Sequence, residues 1–349
     1  MTFRGICQKT GRGILFFLLT ALLAATACGT GRAEAKIGGT LMAVSEPHLI
    51  IRSVFGNTDR DADSIKAVHF LSSLSDRPPD AWDVSADRDG TVWAWFTPVD
   101  EAYADLFIAS DGVILLNEDS SNLFAHFSGM TDIHWNGSID TGNVTNMHGM
   151  FEGCGSLTEL DVSGFDTENV TDMGGMFFGC GSLTELDVSG FDTGSVTDMY
   201  AMFTDCGGLA ELDVSGFDTG NVTDMMIMFE GCSGLTRLDL SGFDTSSVTD
   251  MAWMFNRCGS LTELDVSGFD TSNVESMCGM FHQCGGLTRL DLSGFDTRHV
   301  SHVIRVSHMF CGCGSLTELV ISPGFVLPDG ADPFVDCPIQ SLDQCVLVD

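Results

Sequence analysis

Apolar positions recur with a strict period of 26 residues over most of the second half of the chain. One full unit, residues 157–182, has the sequence LTELDVSGFDTENVTDMGGMFFGCGS. Copies of it begin at Thr131, Leu157, Leu183, Leu209, Leu235, Leu261, Leu287 and Leu316. The first and last copies are degraded, and the copy from Leu287 has three extra residues near 301–306. Such a period is typical of proteins whose units stack side by side and end in atypical capping units.

Each unit has two halves with different hydrophobic periods. In the first half, apolar residues follow an L-x-x-L-x-L spacing at Leu157, Leu160 and Val162. This spacing predicts a short strand with its apolar side inward. In the second half, apolar residues stand three to four apart at Val170, Met173, Met176 and Phe177. That spacing predicts a short helix, which Gly179 would end.

The fold class predicted from these halves is an α/β repeat solenoid. We expect a leucine-rich-repeat-like horseshoe of strand-plus-short-helix units over residues 129–322, with about seven to eight units. A small, mainly β N-terminal capping domain is predicted over 36–128, and a C-terminal cap over 323–349. Within the capping domain, Asp111-Gly112 predicts a hairpin turn between strands near 106–108 and 113–116.

The repeat carries a motif, F-D-T-x-x-V-T-D-M-x-x-M-F-x-x-C-x-x-L, present from Phe191 to Leu209 and in most other copies. In this motif the sequence resembles the bacterial leucine-rich surface proteins of the BspA-like, DUF285 type. The resemblance implies an exposed, adhesin-like or partner-binding protein, with host matrix proteins among the ligand types of the family. It implies no enzymatic activity, and it does not name the partner.

The first 35 residues predict a signal peptide rather than part of the fold. Basic residues precede an apolar run from Ile14 to Leu23, which is short for a membrane anchor. Two cleavage sites compete: a lipobox-like Ala25-Thr26-Ala27-Cys28, in which Cys28 would be lipidated, and an ordinary site at 33–35. We therefore expect an exported protein. It would be a lipoprotein at the cell surface or on the outer face of the membrane, or else it would be secreted.

The charge balance limits the classes of partner. The chain has 49 acidic and 15 basic residues, a formal net charge of −34. Such a surface repels nucleic acid and anionic lipid. We therefore expect no nucleic acid partner, and we expect membrane contact only through the N-terminal anchor. The expected partners are host matrix or other surface proteins, or glycans. The oligomeric state stays open.

Exposed positions of the predicted strands repeat in acidic columns. The predicted partner-binding face consists of Glu159, Asp161, Glu185, Asp187, Glu211, Asp213, Arg237, Asp239, Glu263, Asp265, Arg289 and Asp291. Like charges stacked this closely repel each other, which favours a role in binding a basic partner. Two alternatives remain: duplication simply copied the charges, or the aspartates bond turn amides in every coil. Ca²⁺ between adjacent carboxylates is a further alternative, although no calcium-binding loop motif occurs. No other cofactor is expected.

The cysteines predict a structural ladder rather than a metal site. One thiol per unit falls at the same position, at Cys154, Cys180, Cys206, Cys232, Cys258, Cys284 and Cys313. We expect these thiols to be buried and reduced, because parallel side chains do not converge as a disulfide requires. Cys337 and Cys345 are the disulfide candidate. A cluster of other histidines and cysteines includes His299, His302, His308, Cys311, Cys278 and His282, but its spacing matches no established zinc site.

No catalytic constellation is present in the sequence, so we predict no catalytic residues and no enzyme. Phosphate-binding loops, nucleophile elbows and zinc-protease motifs are all missing. Two alternatives to a binding solenoid remain open. The protein could be a structural surface component without a specific ligand, or the N-terminal domain could carry the binding on a solenoid stalk.

Overall fold

The computed structural model describes residues 62–300 and 302–348. The strands there are β1 Ile65–Leu71, β2 Trp82–Asp83, β3 Trp93–Pro98, β4 Ala104–Ala109, β5 Ile114–Leu115, β6 Asp132–His134, β7 Ile139–Asp140, β8 Arg289–Leu292, β9 Glu318–Ile321 and β10 Val346–Leu347. Helical segments within these ranges are short 3₁₀ turns at Ala62–Ser64, Val303–Arg305 and Leu342–Gln344. In the described part of the chain, none is long and apolar enough to cross a membrane.

The N-terminal region forms a five-stranded sheet in the order β2-β3-β4-β1-β6. Strands β3 and β4 are antiparallel, whereas β1 lies parallel to both β4 and β6. Alternate residues of β1 and β4, such as Phe70 and Ile108, are fully buried. Because β6 belongs to the first repeat copy, this sheet joins the N-terminal region to the repeats.

The hairpin predicted at Asp111-Gly112 is wrong. Strand β5 pairs in parallel with β7 of the first repeat copy rather than with β4. The N–H groups of Ile114 and Leu116 donate to the carbonyls of Ser138 and Asp140. The chain after β4 therefore runs as an additional coil against the first copy, which satisfies its backbone there.

The repeat copies lie side by side as coils, each hydrogen-bonded to the next at equivalent positions. The N–H groups of Met173, Gly175, Phe177 and Gly179 donate to carbonyls 25 residues further on, at distances of 2.6 to 3.1 Å. Later coils repeat this pattern. A parallel bridge also links one residue of each coil to its equivalent in the next, at Asp119, Asn146, Asp172, Asp198, Asp224, Asp250 and Ser276.

The short helix predicted in each unit does not form. Residues 173–180 and their equivalents make consecutive turns instead. The third and seventh residues after the bridging position, Gly175 and Gly179, have φ near +60° and +74°. Their equivalents in the next coil, Ala201 and Asp205, have φ of +56° and +57°. An α-helix needs negative φ throughout, so these two left-handed residues exclude it.

The strand predicted in the first half of each unit forms only partly. It pairs as a sheet in β8 and β9, where Leu290 lies opposite Leu319. In the coils between the first copy, which contains β6, and β8, the equivalent residues are assigned no strand, apart from one bridge between Asp265 and Asp291. The apolar side nevertheless points inward: Leu157, Leu160 and Val162 are buried. The inward and outward alternation predicted there is therefore correct even where the sheet pairing is missing.

The core of the stack consists of ladders of identical side chains. One phenylalanine per coil stacks on its neighbours with ring centroids 5.6 to 5.9 Å apart, at Phe151, Phe177, Phe203, Phe229, Phe255, Phe281 and Phe310. Leucines, valines and methionines at fixed positions form parallel ladders beside it, and all are buried. No single coil could cover these apolar faces, so each depends on its neighbours.

Candidate interaction surface

The acidic strand face, defined as the twelve predicted partner-binding residues 159 to 291 named above, lies on the outside of the coils. Eleven of these side chains are exposed, and Asp291 is half-buried. The two arginines of the acidic strand face pair with carboxylates of the same surface. Arg237 Nη2 lies 3.0 Å from Glu211 Oε1, and Arg289 Nε lies 2.8 Å from Glu318 Oε1. They therefore neutralise the acidic columns locally.

The aspartate column of this face has a structural role in every coil. In most coils Asp Oδ1 accepts hydrogen bonds from the backbone N–H and the hydroxyl of the serine two residues later, as in Asp187 and Ser189. The serine hydroxyl, followed by its N–H, lowers the pKa of Asp161, Asp187 and Asp213. These carboxylates stay ionised, but one oxygen of each is occupied by the turn.

The glutamate column differs from the aspartate column. No salt bridge within the described residues involves Glu159, Glu185 or Glu263. All three side chains are exposed. Of the two columns, the glutamates are therefore the groups most available to a partner.

A second row of carboxylates lies at the bridging position, which the sequence analysis did not single out. Asp172, Asp198, Asp224 and Asp250 are half-buried, and each Oδ1 accepts the N–H two residues later, at 2.8 Å. Burial raises the pKa of Asp198 and Asp250, and raises that of Asp224 to about 6. We call this set the aspartate row. The recurring T-D-M of the motif was the signal for it.

A polar network connects four coils beyond the aspartate row. Arg257 Nη2 lies 2.7 Å from Asp205 Oδ1, two coils away, and 3.3 Å from Glu230 Oε1. Asn256 Nδ2 donates to Glu230 Oε1 at 2.8 Å, and His282 Nδ1 lies 2.7 Å from Asn256 Oδ1. The long contact crosses Gly231, where a Cβ would stand 2.1 Å from Asp205 Oδ1. Only a glycine in the intervening coil allows this ion pair.

The cysteine ladder is buried and hydrogen-bonded. Each Sγ donates to the carbonyl of the phenylalanine in the preceding coil at 2.9 to 3.2 Å. Burial raises the pKa of Cys154 and Cys258 to about 12. All cysteines within the described residues are free thiols, Cys337 and Cys345 included. A bridge between those two stays a prediction, and Cys28 lies outside the described residues.

The cluster considered for zinc is not assembled. Among the described residues, no group of three or more histidine, cysteine, aspartate or glutamate side chains could hold a metal ion. His282 instead contacts Asn256, and His299 Nε2 lies 2.7 Å from the carbonyl of Val274. Those two histidines serve the packing between coils.

The N-terminal sheet carries a row of stacked rings across four strands. Trp95, Phe107, His69 and His134 lie on β3, β4, β1 and β6, with neighbouring centroids 4.6 to 5.5 Å apart. Burial lowers the pKa of His69, whose Nε2 is 3.6 Å from Asp105 Oδ2. Trp95 is buried, Phe107 and His69 are half-buried and His134 is exposed, so the row is most accessible on β6.

Comparison with known proteins finds one family. A family model described as "Mycoplasma protein of unknown function, DUF285" matches the chain twice, over residues 118–234 and 209–322. The two matches together cover more than half of the chain and contain the repeat copies from the first to the seventh. No curated protein and no solved structure matches the chain.

Proposed function

Because the chain belongs to the DUF285 family, whose description assigns no activity, we propose its function from its surface. The protein is an exported, cell-surface repeat protein of the BspA-like type that binds a macromolecule through the acidic strand face. Its architecture is a leucine-rich-type solenoid, in which turns replace the helices. The partner is a protein or glycan-bearing surface with exposed basic groups, and the protein is not an enzyme.

The observation that carries this proposal is the exposed glutamate column. The aspartates beside it are explained by their turns, but no hydrogen bond within the described residues accounts for Glu159, Glu185 or Glu263. Stacking such charges in successive coils opposes folding, and a coil needs no acid at this position, because Arg237 and Arg289 occupy it elsewhere. A basic partner would relieve the repulsion on binding.

Two arguments support binding over a purely structural surface component. A spacer needs only solubility, which the net charge of −34 supplies from any side of the molecule. Here, however, Glu159, Glu185 and Glu263, which are exposed and have no salt bridge within the described residues, recur at one position of the coil and form a column along one face. Such a column focuses the electrostatic potential and steers a basic partner to that face.

The test uses the full chain, with substitutions by the residue that other coils of this protein have at the same position. Glu185, Glu211 and Glu263 are changed together to arginine, the residue of the equivalent coils at 237 and 289. The aspartates are left intact because their turns would be disturbed. A panel of purified matrix proteins and glycans is then probed for capture at low and at high salt.

We expect capture that weakens with salt and is lost in the triple variant, with unchanged circular dichroism. The control carries Glu168, Asp329 and Asp343 changed to arginine, which are exposed, lie outside the face and give the same change in net charge. Equal capture by wild type and triple variant would refute the acidic strand face as the binding surface. No capture by the wild type from the whole panel would favour a structural component.

A further inference from the structure

The repeat copies differ from one another mainly at four positions. These are residues 174, 175, 178 and 179 and their equivalents in the following coils, which we call the variable strip. Across the five copies that begin at Leu157 to Leu261, the first and third of these positions carry five different residues each. The second and fourth carry four different residues each. All four positions lie in the turn segment of the coil, whereas the acidic strand face lies in its first half.

Relaxed drift does not explain this distribution. The two exposed positions before each aspartate of the acidic strand face, those of Thr158 and Glu159, are not held by a turn, and yet they hardly change. The position of Thr158 is threonine in four of the five copies, and that of Glu159 is only glutamate or arginine. Drift at unconstrained sites would vary these positions as well. The variation is instead concentrated in one strip, where several of the residues are large.

Large side chains occupy this strip although glycine would suit the backbone better. Ile227 and Trp253 have φ of +54° and +61°, in the left-handed region that β-branched and bulky residues avoid. Equivalent coils have Gly175 and Gly279 there. The indole of Trp253 lies against Gly279, where an added Cβ would come within 2.3 Å of Cε3. Strained residues that the fold does not require are found at functional sites.

The strip is also internally organised. Asp205, Glu230, Asn256, Arg257 and His282 all occupy its positions, and they are the members of the polar network described above. The edge of the Trp253 ring meets His282 at a centroid distance of 5.3 Å. Residues that differ between copies therefore bond to each other across coils, which independent drift would not produce.

The composition of the strip fits a protein partner. Its half-buried members include Phe178, Tyr200, Met226, Ile227 and Trp253. Arg257, which is paired with Asp205, is exposed. Aromatic residues, methionine and arginine are the types enriched at the centres of protein interfaces. The aspartate row runs along one edge, since the N–H of Tyr200 donates to Asp198 Oδ1. A partner with basic residues at its border would complement the charge of the aspartate row.

We propose that the variable strip is a second docking surface, for a protein partner that presents apolar or aromatic side chains beside lysine or arginine. It is separate from the acidic strand face and does not depend on it. The tryptophan and the tyrosine act as anchors, and the aspartate row orients the basic border. Each coil contributes its own residues to the strip, so the order of the coils sets the order in which these residues contact the partner.

The test exposes the full chain to random peptides displayed on phage. Enriched peptides are then measured on the wild type and on a double variant, Tyr200→Gly with Trp253→Gly. Each replacement is the residue that a neighbouring copy has at that position, Gly174 and Gly279. Because Trp253 has a positive φ, its replacement is compatible with the backbone, and thermal unfolding of each variant shows whether the stack is intact.

We expect enriched peptides with aromatic and basic residues that lose about tenfold or more of their affinity on the double variant. The triple glutamate variant of the acidic strand face should bind those peptides within about twofold of the wild type. If the peptides lose affinity only for the triple glutamate variant, the variable strip is refuted as a docking surface, and the proposal for the acidic strand face still stands. No enrichment, equal binding by the double variant, or instead Trp253-dependent capture of a neutral glycan, would each overturn the proposal.

Discussion

The thiol of Cys232 donates a hydrogen bond to the carbonyl of Phe203 in the preceding coil, with Sγ 3.1 Å from the oxygen. Both residues are fully buried. The same carbonyl also accepts the N–H of Cys206 at 3.2 Å. A small apolar residue could fill the site, but only a thiol adds a second hydrogen bond to that carbonyl without bringing a strongly hydrated group into the core. This bond explains why a cysteine recurs in every coil of a protein that we propose to be exported.

Replacement of Cys232 by alanine should destabilise the protein by about 1–2 kcal/mol, because a small void remains and the carbonyl of Phe203 loses one of its two hydrogen bonds. Chemical denaturation measures the change. Cys345→Ala is the matched control, since that thiol is half-buried and its nearest acceptor, the carbonyl of Ser341, is 3.8 Å away. An equal loss in both variants would show that the bond in the ladder adds nothing.

Thr167 links its coil to the next through both functions of its hydroxyl. Oγ1 donates to the carbonyl of Asp192 at 2.9 Å and accepts from its N–H at 2.8 Å. Thr167→Val keeps the shape but removes both bonds from a buried site, which should cost about 1–3 kcal/mol. Thr171→Val, at an exposed threonine, should change the free energy of unfolding by no more than about 0.5 kcal/mol. Similar losses at the two sites would contradict this role.

Ile227→Gly should stabilise the protein. A left-handed conformation costs a β-branched residue about 1–2 kcal/mol, and the added flexibility of glycine in the unfolded chain returns about 0.5–1 kcal/mol of that. A net gain of roughly 0.5–1 kcal/mol is therefore expected. Thermal unfolding measures it, with Met226→Gly as the control that should lose stability, since Met226 is not among the residues with positive φ. A loss in both variants would mean that the side chain of Ile227 packs more favourably than its backbone is strained.

The aspartate row should make the stack more stable in mild acid. Burial raises the pKa of Asp224, the N–H of Met226 lowers it and the charges of Asp198 and Asp250 raise it, with a net result of about 6. The folded protein thus binds a proton more tightly than the unfolded chain. The resulting contribution to the free energy of unfolding is complete below the ordinary aspartate pKa and is lost as the pH rises through about 6.

Asp224→Asn should therefore raise the free energy of unfolding by about 1–2 kcal/mol at pH 7 and leave it nearly unchanged at pH 4. The turn survives, because the equivalent Asn146 accepts the N–H of His148 at 2.9 Å. Denaturation across this pH range measures both values. A variant that is less stable than wild type at pH 7 would show that the charged carboxylate is needed.

The period and the inward positions of the stack could be predicted from the sequence, because burial of Leu157 or Leu160 follows from spacing alone. The DUF285 resemblance was confirmed by the family match. The helix could not be excluded, since Met173 and Met176 have the same spacing in a helix and in consecutive turns. The left-handed φ of Ile227 and Trp253 decides between them, and neither residue type signals it.

The candidate surfaces, too, could be predicted from the sequence only in part. The acidic columns are exposed apart from the half-buried Asp291, and their role in binding stays a prediction. The sequence could not separate aspartates held by turns from glutamates without salt bridges, because both recur with the same period. The variable strip was visible in the copies once they were aligned. The period does not reveal it, because a period rests on what the copies share, whereas Tyr200 and Trp253 stand where the copies differ.

The hydrogen bonds between one coil and the next are of the same kind at every junction from Asn146 to Ser276. Excision of residues 209–234 would bring two coils into register that already have matching donors and acceptors. A gene of this kind can therefore lengthen or shorten its product by whole units through unequal recombination, without a new junction having to evolve. Each such event would also shuffle the sequence of anchors along the strip, so that changes in reach and in specificity would be inherited together.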